Sequence, residues 1–221
     1  MREIVLDTET TGLSAKAGHR VVEIGCLELL NLVPTGEVYH AYINPERDMP
    51  VEAYNVHGLS EAFLSGHPTF DKIADDFLRF IDGGRLIIHN AQFDMGFLNA
   101  ELARLNKPAL TNDFVDTVAM ARKKFPGAHA NLDALCRRFG IDLSSREKHG
   151  ALLDSELLAE VYLELTGGRQ PGLGFAAGES IAEVVQVTAA AQAERKFEPS
   201  AEEIEEHDAF IAKLDDPIWR R

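Results

Sequence analysis

Asp7 and Glu9 stand two residues apart, directly after the apolar run of Ile4, Val5 and Leu6, in the stretch MREIVLDTETTGL. Along a β-strand, side chains at i and i+2 leave on the same face. Two carboxylates therefore project together from one strand end and repel each other unless something positive lies between them. A hard divalent cation with oxygen ligands supplies such a charge. A strand that merely runs out into an acidic loop explains the same pair with no chemistry, so carboxylates from elsewhere decide between the two readings. The chain offers Asp94 in AQFDMGFL and Asp154 in HGALLDSELLAEVYLEL. Asp94 falls in the first turn of an expected helix, where an acidic side chain also complements the helix dipole. Asp154 falls among Leu152, Leu153, Leu157 and Leu158, where an unpaired carboxylate is costly. His149 closes the polar loop SSREKHG just before it. It is either a solvated loop histidine or a general base, since imidazole changes charge near neutral pH.

The elements that must carry these residues can be placed from patterning. Residues 21–30 (VVEIGCLELL) read as a buried strand and residues 37–44 as an alternating one, with a turn at Pro34, Thr35 and Gly36. The first three strands thus form an antiparallel meander. Residues 56–59 read as a break, and Ser60 begins a short helical turn. Thr69 is placed to N-cap a helix with Phe70, Ile73, Ala74, Phe77, Leu78 and Ile81 at helical spacing, ended by Gly83 and Gly84. RLIIH is a short strand leading into a helix over 91–105, and residues 114–117 form a last short strand followed by a helix. Asn131 caps LDALCRRF, and a helix over 151–165 stops at Gly167 and Gly168. A meander followed by strands alternating with helices makes an α/β fold, a mixed sheet flanked by helices.

Residues 1–168 read as one domain and residues 169–221 as a flexible, partly helical tail. The tail opens on the Gly-rich RQPGLGFAAGES, shows weak helical periodicity over 181–196, and carries a capping box at Ser200 and Glu203 ahead of Ile204, Phe210, Ile211 and Leu214. The chain of 221 residues has a net charge of −14, of which the tail holds −5 (6 Lys/Arg against 11 Asp/Glu). That balance argues against tight, independent binding to a phosphate backbone. It does not exclude a nuclease, because bound cations reverse the sign of a carboxylate-lined site. No apolar run approaches the roughly 20 residues of a membrane span, and the two cysteines show no disulfide or zinc spacing. A soluble, cytoplasmic protein is expected.

DTETTGL, HNAQFDMGFL and HGALLDSELLAEVY resemble, in order and spacing, the three exonuclease motifs of the DEDD superfamily, in its histidine-containing branch. Among its members the chain is most similar to the proofreading 3′→5′ exonucleases of bacterial replicases, and VHGLS, FPGAHANLDALCRRFGID and VYLELTGG share that likeness. The resemblance spans residues 2–168 and continues only in patches of the tail, including Ile218, Trp219 and Arg220. It implies an RNase H-like fold and two Mg²⁺ or Mn²⁺ ions about 4 Å apart. By the same resemblance Asp7, Glu9 and Asp154 hold the ions, Asp94 completes the acidic set directly or through water, and His149 accepts the proton of the attacking water. It places Glu52 and His57 near the terminal nucleotide of a DNA 3′ end, with Leu13 and Val56 beside its base. The product is a nucleoside 5′-monophosphate.

Gln170, Leu173 and Phe175 resemble the short peptides that dock into the bacterial sliding clamp, and the end of the tail is expected to bind the polymerase catalytic subunit. A Gly/Pro linker that happens to hold two apolar residues is the alternative. Two other functions stay open at this point: a free-standing RNA- or oligonucleotide-trimming exonuclease, and an inactive scaffold that uses the fold to bind a polymerase. The intact set of Asp7, Glu9, Asp94, His149 and Asp154 speaks against the scaffold, and the tail against the free-standing enzyme.

Overall fold

Strand β1 (Arg2–Thr10) lies at the centre of a five-stranded sheet because its aliphatic residues need cover on both faces: Ile4, Val5 and Leu6 are all fully buried. The structure, a computed structural model, describes residues 1–144, 146, 148–168 and 199–213. β2 (Val21–Leu30) and β3 (Val33–Tyr42) extend the sheet antiparallel on one side of β1, while β4 (Arg85–Ile88) and β5 (Phe114–Asp116) extend it parallel on the other, giving the order β3-β2-β1-β4-β5. The helices are α1 (Val51–His57), α2 (Glu61–Leu64), α3 (Phe70–Ile81), α4 (Ala91–Arg104), α5 (Thr117–Lys124), α6 (Leu132–Phe139) and α7 (Ala151–Thr166). This is the expected mixed sheet, a meander followed by parallel strands flanked by helices.

Strand alternation divides the core in two. Ile4 and Leu6 face α3 and α4, packing with Phe70, Phe77 and Leu98, whereas Val5 faces α5, α6 and α7 with Leu135, Leu158 and Val161. Asp7 and Glu9 share the parity of Val5, so they leave the sheet on the α7 side. Helix α7 is fastened to that face at both ends. Tyr162 donates its hydroxyl hydrogen bond to Glu3 Oε1 at 2.7 Å, and Ser155 Oγ donates to the Gly25 carbonyl at 2.9 Å. Gly25 is the β2 partner of Asp7, and a Cβ there would sit 2.3 Å from the backbone of Ala151 and Leu152. Only glycine allows the first turn of α7 to lie on the sheet beside Asp7.

Three local expectations are corrected. The β2–β3 turn is not at Pro34, Thr35 and Gly36. It falls at Asn31 and Leu32, both at positive φ (52° and 68°). That is the backbone of a tight two-residue hairpin. β3 therefore begins at Val33, and the ladder takes up a register shift between Leu27 and Leu29. Residues 56 and 57, read as part of a break, close α1, which starts after Pro50 and ends on Gly58 at φ 75°. Thr69 precedes α3 without capping it, because its hydroxyl bonds the Asp71 carboxylate instead. Asn131 does cap α6, accepting from Ala134 N–H at 2.8 Å.

The chain divides into two units, Met1–Gly174 and Phe175–Arg221. In the second, α8 (Ala201–Ile211) opens with the expected capping box of Ser200 and Glu203 and carries Ile204 and Phe210. Gln170, Leu173, Phe175, the weak periodicity over 181–196, Leu214, Ile218, Trp219 and Arg220 lie outside the described residues. Among the described residues, no helix is long and apolar enough to cross a membrane.

Candidate active site

The β1 strand end and the start of α7 meet over Gly25, and their acidic residues meet with them. One ligand atom from each of Glu9, His149 and Asp154 lies within 4.8 Å of the other two. Asp94 arrives from the opposite face of the sheet, on the first turn of α4, and accepts a hydrogen bond from Thr8 Oγ at 2.7 Å. Thr8 points away from Asp7 and Glu9 along the strand, so it holds Asp94 at the strand's edge, next to Asp7. Glu9, Asp94 and Asp154 are nearly inaccessible, at 8%, 2% and 3% exposure.

Charge is left unbalanced by this arrangement. Burial pushes the Asp7 carboxyl well above the ordinary carboxylate range, and repulsion from Asp94, Glu9 and Asp154 adds to it. Burial raises Glu9 to about 8, with Asp154 and Glu23 repelling it further. Glu23 is its direct cross-strand partner, a like-charge pairing that costs stability. Burial also lifts Asp94 to about 7, outweighing the hydrogen bond from Thr8. Asp154 behaves differently. Burial opposes its ionisation too, but hydrogen bonding to Arg146, with His149 close by, holds it below the ordinary range.

Beside the carboxylates opens a cavity of about 570 Å³. Its wall includes Glu9 and all four expected nucleotide-contacting residues, Leu13, Glu52, Val56 and His57. Leu13 and Val56 present exposed apolar surface, at 88% and 47%. His57 is buried, and its Nδ1 accepts from Leu59 N–H at 3.0 Å, which leaves the ring proton on Nε2. Nε2 makes no hydrogen bond among the described residues. Burial lowers the His57 pKa, keeping the ring neutral. Asp94, His149 and Asp154 do not form part of this wall. The site is thus an acidic cluster flanked by a mostly apolar cleft.

A family model described as an exonuclease matches residues 4–162. The chain is 49% identical to the DNA polymerase III subunit epsilon of Rickettsia felis, over 97% of both chains. It is 48% identical to the Escherichia coli K12 protein of the same name, over 79% of this chain and 75% of that one. The chain belongs to the exonuclease family of DNA polymerase III epsilon subunits. Solved structures share the fold at low identity. The nuclease domain of 3′hExo, a DEDDh family member bound to rAMP, has a TM-score of 0.66 at 16% identity, covering 75% of this chain and 91% of that one. Exonuclease I has a TM-score of 0.67 at 17% identity, over 77% of this chain and 41% of that one. As a member of this exonuclease family the chain is a phosphodiester hydrolase, and the family implies divalent metal ions.

The residues present suit such ions. The cluster offers four carboxylates, the hard oxygen ligands that Mg²⁺ and Mn²⁺ prefer, beside one imidazole. Burial, with like charges adding to it, holds three of its four carboxylates towards the neutral form, and a dication would supply a positive charge that opposes this.

Several residues of the site went unforeseen. Thr8, His19 and Phe93 line the same cleft, and His19 packs so closely under Gly12 that a Cβ there would fall 2.5 Å from its ring. Helix α1 positions the histidine loop: His149 N–H donates to the Val56 carbonyl at 3.3 Å, and Lys148 Nζ lies 4.9 Å from the Tyr54 ring centroid. Arg146 enters the cluster itself. Its place in SSREKHG marks it only as one polar residue among several.

Proposed function

We propose that this chain removes mispaired 3′-terminal nucleotides from DNA as 5′-monophosphates, as the proofreading subunit of a bacterial replicative polymerase. The observation that carries this reading is the convergence of Glu9, His149 and Asp154 beside the cleft lined by Leu13, Glu52, Val56 and His57. Asp7, Glu9 and Asp154 would hold two divalent cations, Mg²⁺ or Mn²⁺, with Asp94 completing the set. Such ions, when bound, make water a nucleophile near neutral pH and stabilise charge on the phosphate and the leaving oxygen. Thr8 fixes the rotamer of Asp94. His149, half exposed at the mouth of the cluster, accepts the proton of the attacking water. His57 offers its Nε2–H to an oxygen of the terminal nucleotide, and Leu13, Val56 and Phe93 pack against its base.

The surface lining this cleft is mostly apolar among the described residues, so selection rests on how readily an end frays. Unstacking costs least at a mismatch. End-labelled DNA with a mismatched 3′ terminus is therefore expected to be digested several-fold faster than a fully paired end, with Mg²⁺ or Mn²⁺ and not with chelator. Equal rates on the two ends would contradict proofreading. Faster digestion of RNA would point to an RNA-trimming enzyme of the same superfamily.

With a net charge of −14, the chain is expected to hold a phosphate backbone only weakly by itself. A tether replaces that affinity: the Gln170, Leu173, Phe175 pattern to the sliding clamp, and the region around α8 and the terminus to the polymerase catalytic subunit. A link between two anchors raises the local concentration of nuclease at the primer end. Cutting the chain after Gly168 is expected to abolish co-purification with the polymerase and leave digestion of free single strands nearly unchanged. Retained co-purification would remove the tail as the tether.

A further inference from the structure

Arg146 is the one cation seated within the acidic cluster among the described residues. Its Nε donates to Asp154 Oδ1 at 2.6 Å and its Nη2 to Asp154 Oδ2 at 2.7 Å. Such a bidentate pair is among the stronger charge-assisted contacts. Nη1 donates to Asp133 Oδ1 at 2.5 Å, which anchors the guanidinium from α6. Nη2 also lies 2.8 Å from His149 Nδ1. A guanidinium can only donate, so Nδ1 is the acceptor and carries no proton here. That nitrogen is also 3.2 Å from Asp154 Oδ2, and Nη2 carries two hydrogens with which to meet the two acceptors. The side chains of Arg146 and Asp154 are 7% and 4% exposed. Solvent ions therefore screen the pair little.

We propose that Arg146 is a resident counter-cation that occupies Asp154 and His149 in the metal-free chain, and that a divalent ion must displace it to bind. The proposal rests on reading the cluster as a divalent-cation centre. Both oxygens of Asp154 face the guanidinium, and the ligand atoms of Glu9, His149 and Asp154 converge on the same small space. A dication drawn to that space meets a fixed positive charge at the carboxylate it needs. The same displacement frees the Nδ1 lone pair of His149. While Nδ1 faces the Arg146 guanidinium at 2.8 Å, that nitrogen is not free to take a proton from water. One exchange therefore completes the cation site and releases the base. A permanent structural ion pair would do neither.

Competition of this kind makes metal affinity and metal-free stability move in opposite directions. Titration calorimetry of Mn²⁺ into the full chain should show Arg146→Gln binding about five-fold or more tightly than wild type. The thermal midpoint of the same variant in chelator should fall. Asp133→Asn keeps the arginine and removes its anchor, and should tighten Mn²⁺ binding by a smaller factor. Equal or weaker Mn²⁺ binding by Arg146→Gln would overturn the proposal. If that variant does not fold without metal, Asp133→Asn decides: tighter binding supports the exchange, and unchanged or weaker binding overturns it. Absence of Mn²⁺ binding in wild type and both variants is a different result, and would instead remove the reading of the cluster as a cation centre.

Discussion

Asp7→Asn and Asp154→Asn are both expected to abolish exonuclease activity while shifting the stability of the metal-free chain in opposite directions. On the proposed reading each removes a carboxylate ligand that no neighbour replaces. Cation chemistry is worth several kcal/mol of barrier, so a loss of about 10³-fold or more is expected. Their effects on folding differ because the two carboxylates have different surroundings. Asp7 is half-buried beside Asp94, Glu9 and Asp154, whose charges repel its own, and gains nothing from being charged there. An amide of the same shape removes the repulsion, so Asp7→Asn should raise the thermal midpoint in chelator. Asp154 is the partner of Arg146, and losing it leaves a guanidinium facing an amide inside the protein. Breaking one side of such a pair should cost up to about 3 kcal/mol.

The pH dependence gives the same contrast a second readout. Asp7, Glu9 and Asp94 hold protons more tightly folded than unfolded. As pH rises past about 4 the unfolded chain ionises first, so stability falls. The fall continues until the folded groups ionise, Asp94 at about 7 and Glu9 at about 8. Asp154 has the opposite sign: its pairing stabilises the fold once the unfolded carboxyl is ionised, and that contribution is lost as pH falls. Metal-free wild type should therefore lose stability between about pH 4 and pH 8. Asp7→Asn should flatten this decline, and added Mn²⁺ should reverse it. Denaturation in chelator across that range is the check. If Asp7→Asn proved as destabilising as Asp154→Asn, mutual repulsion could not be what governs the cluster.

The parts legible in the sequence are those in which one residue type answers to one local rule. The two-residue alternation of β1 put Asp7 and Glu9 on one face, and the structure places both on the α7 side. The helical spacing of α7 gave its extent, and its Leu-rich surroundings marked Asp154 as a carboxylate in need of a partner. What stayed hidden depends on contacts between distant segments. The hairpin turn uses Leu32 at positive φ, which no turn preference announces, while Pro34, Thr35 and Gly36 carry every signal of a turn. Helix α1 has seven residues, of which only Ala53 and His57 are buried, too few for a periodic pattern. Glu23 faces Glu9 only because of the register of β1 on β2. Arg146 reaches Asp154 by a loop that packs on α1, and a loop's composition does not say where its side chains end.

His149→Ala is expected to lower the single-turnover rate by about 10² to 10⁴, the usual worth of a general base. Terminal-nucleotide binding should change little, because His149 is not on the wall of the cleft formed by Leu13, Glu52, Val56 and His57. The structure admits a second role. His149 offers a nitrogen within 4.8 Å of the Glu9 and Asp154 oxygens, so it could be a cation ligand instead. The two roles separate by measuring two quantities on one variant. A base contributes only to the chemical step, so His149→Ala should keep wild-type Mn²⁺ affinity while losing rate. A ligand contributes to both, so rate and affinity would fall together, and excess Mn²⁺ would restore much of the rate. Exposure favours the base. The His149 side chain is 47% exposed, open to water that must enter and to a proton that must leave, whereas Glu9 and Asp154 are almost wholly enclosed. An unchanged single-turnover rate at neutral pH would return His149 to the status of a loop residue whose backbone merely ties the α7 entry to Val56.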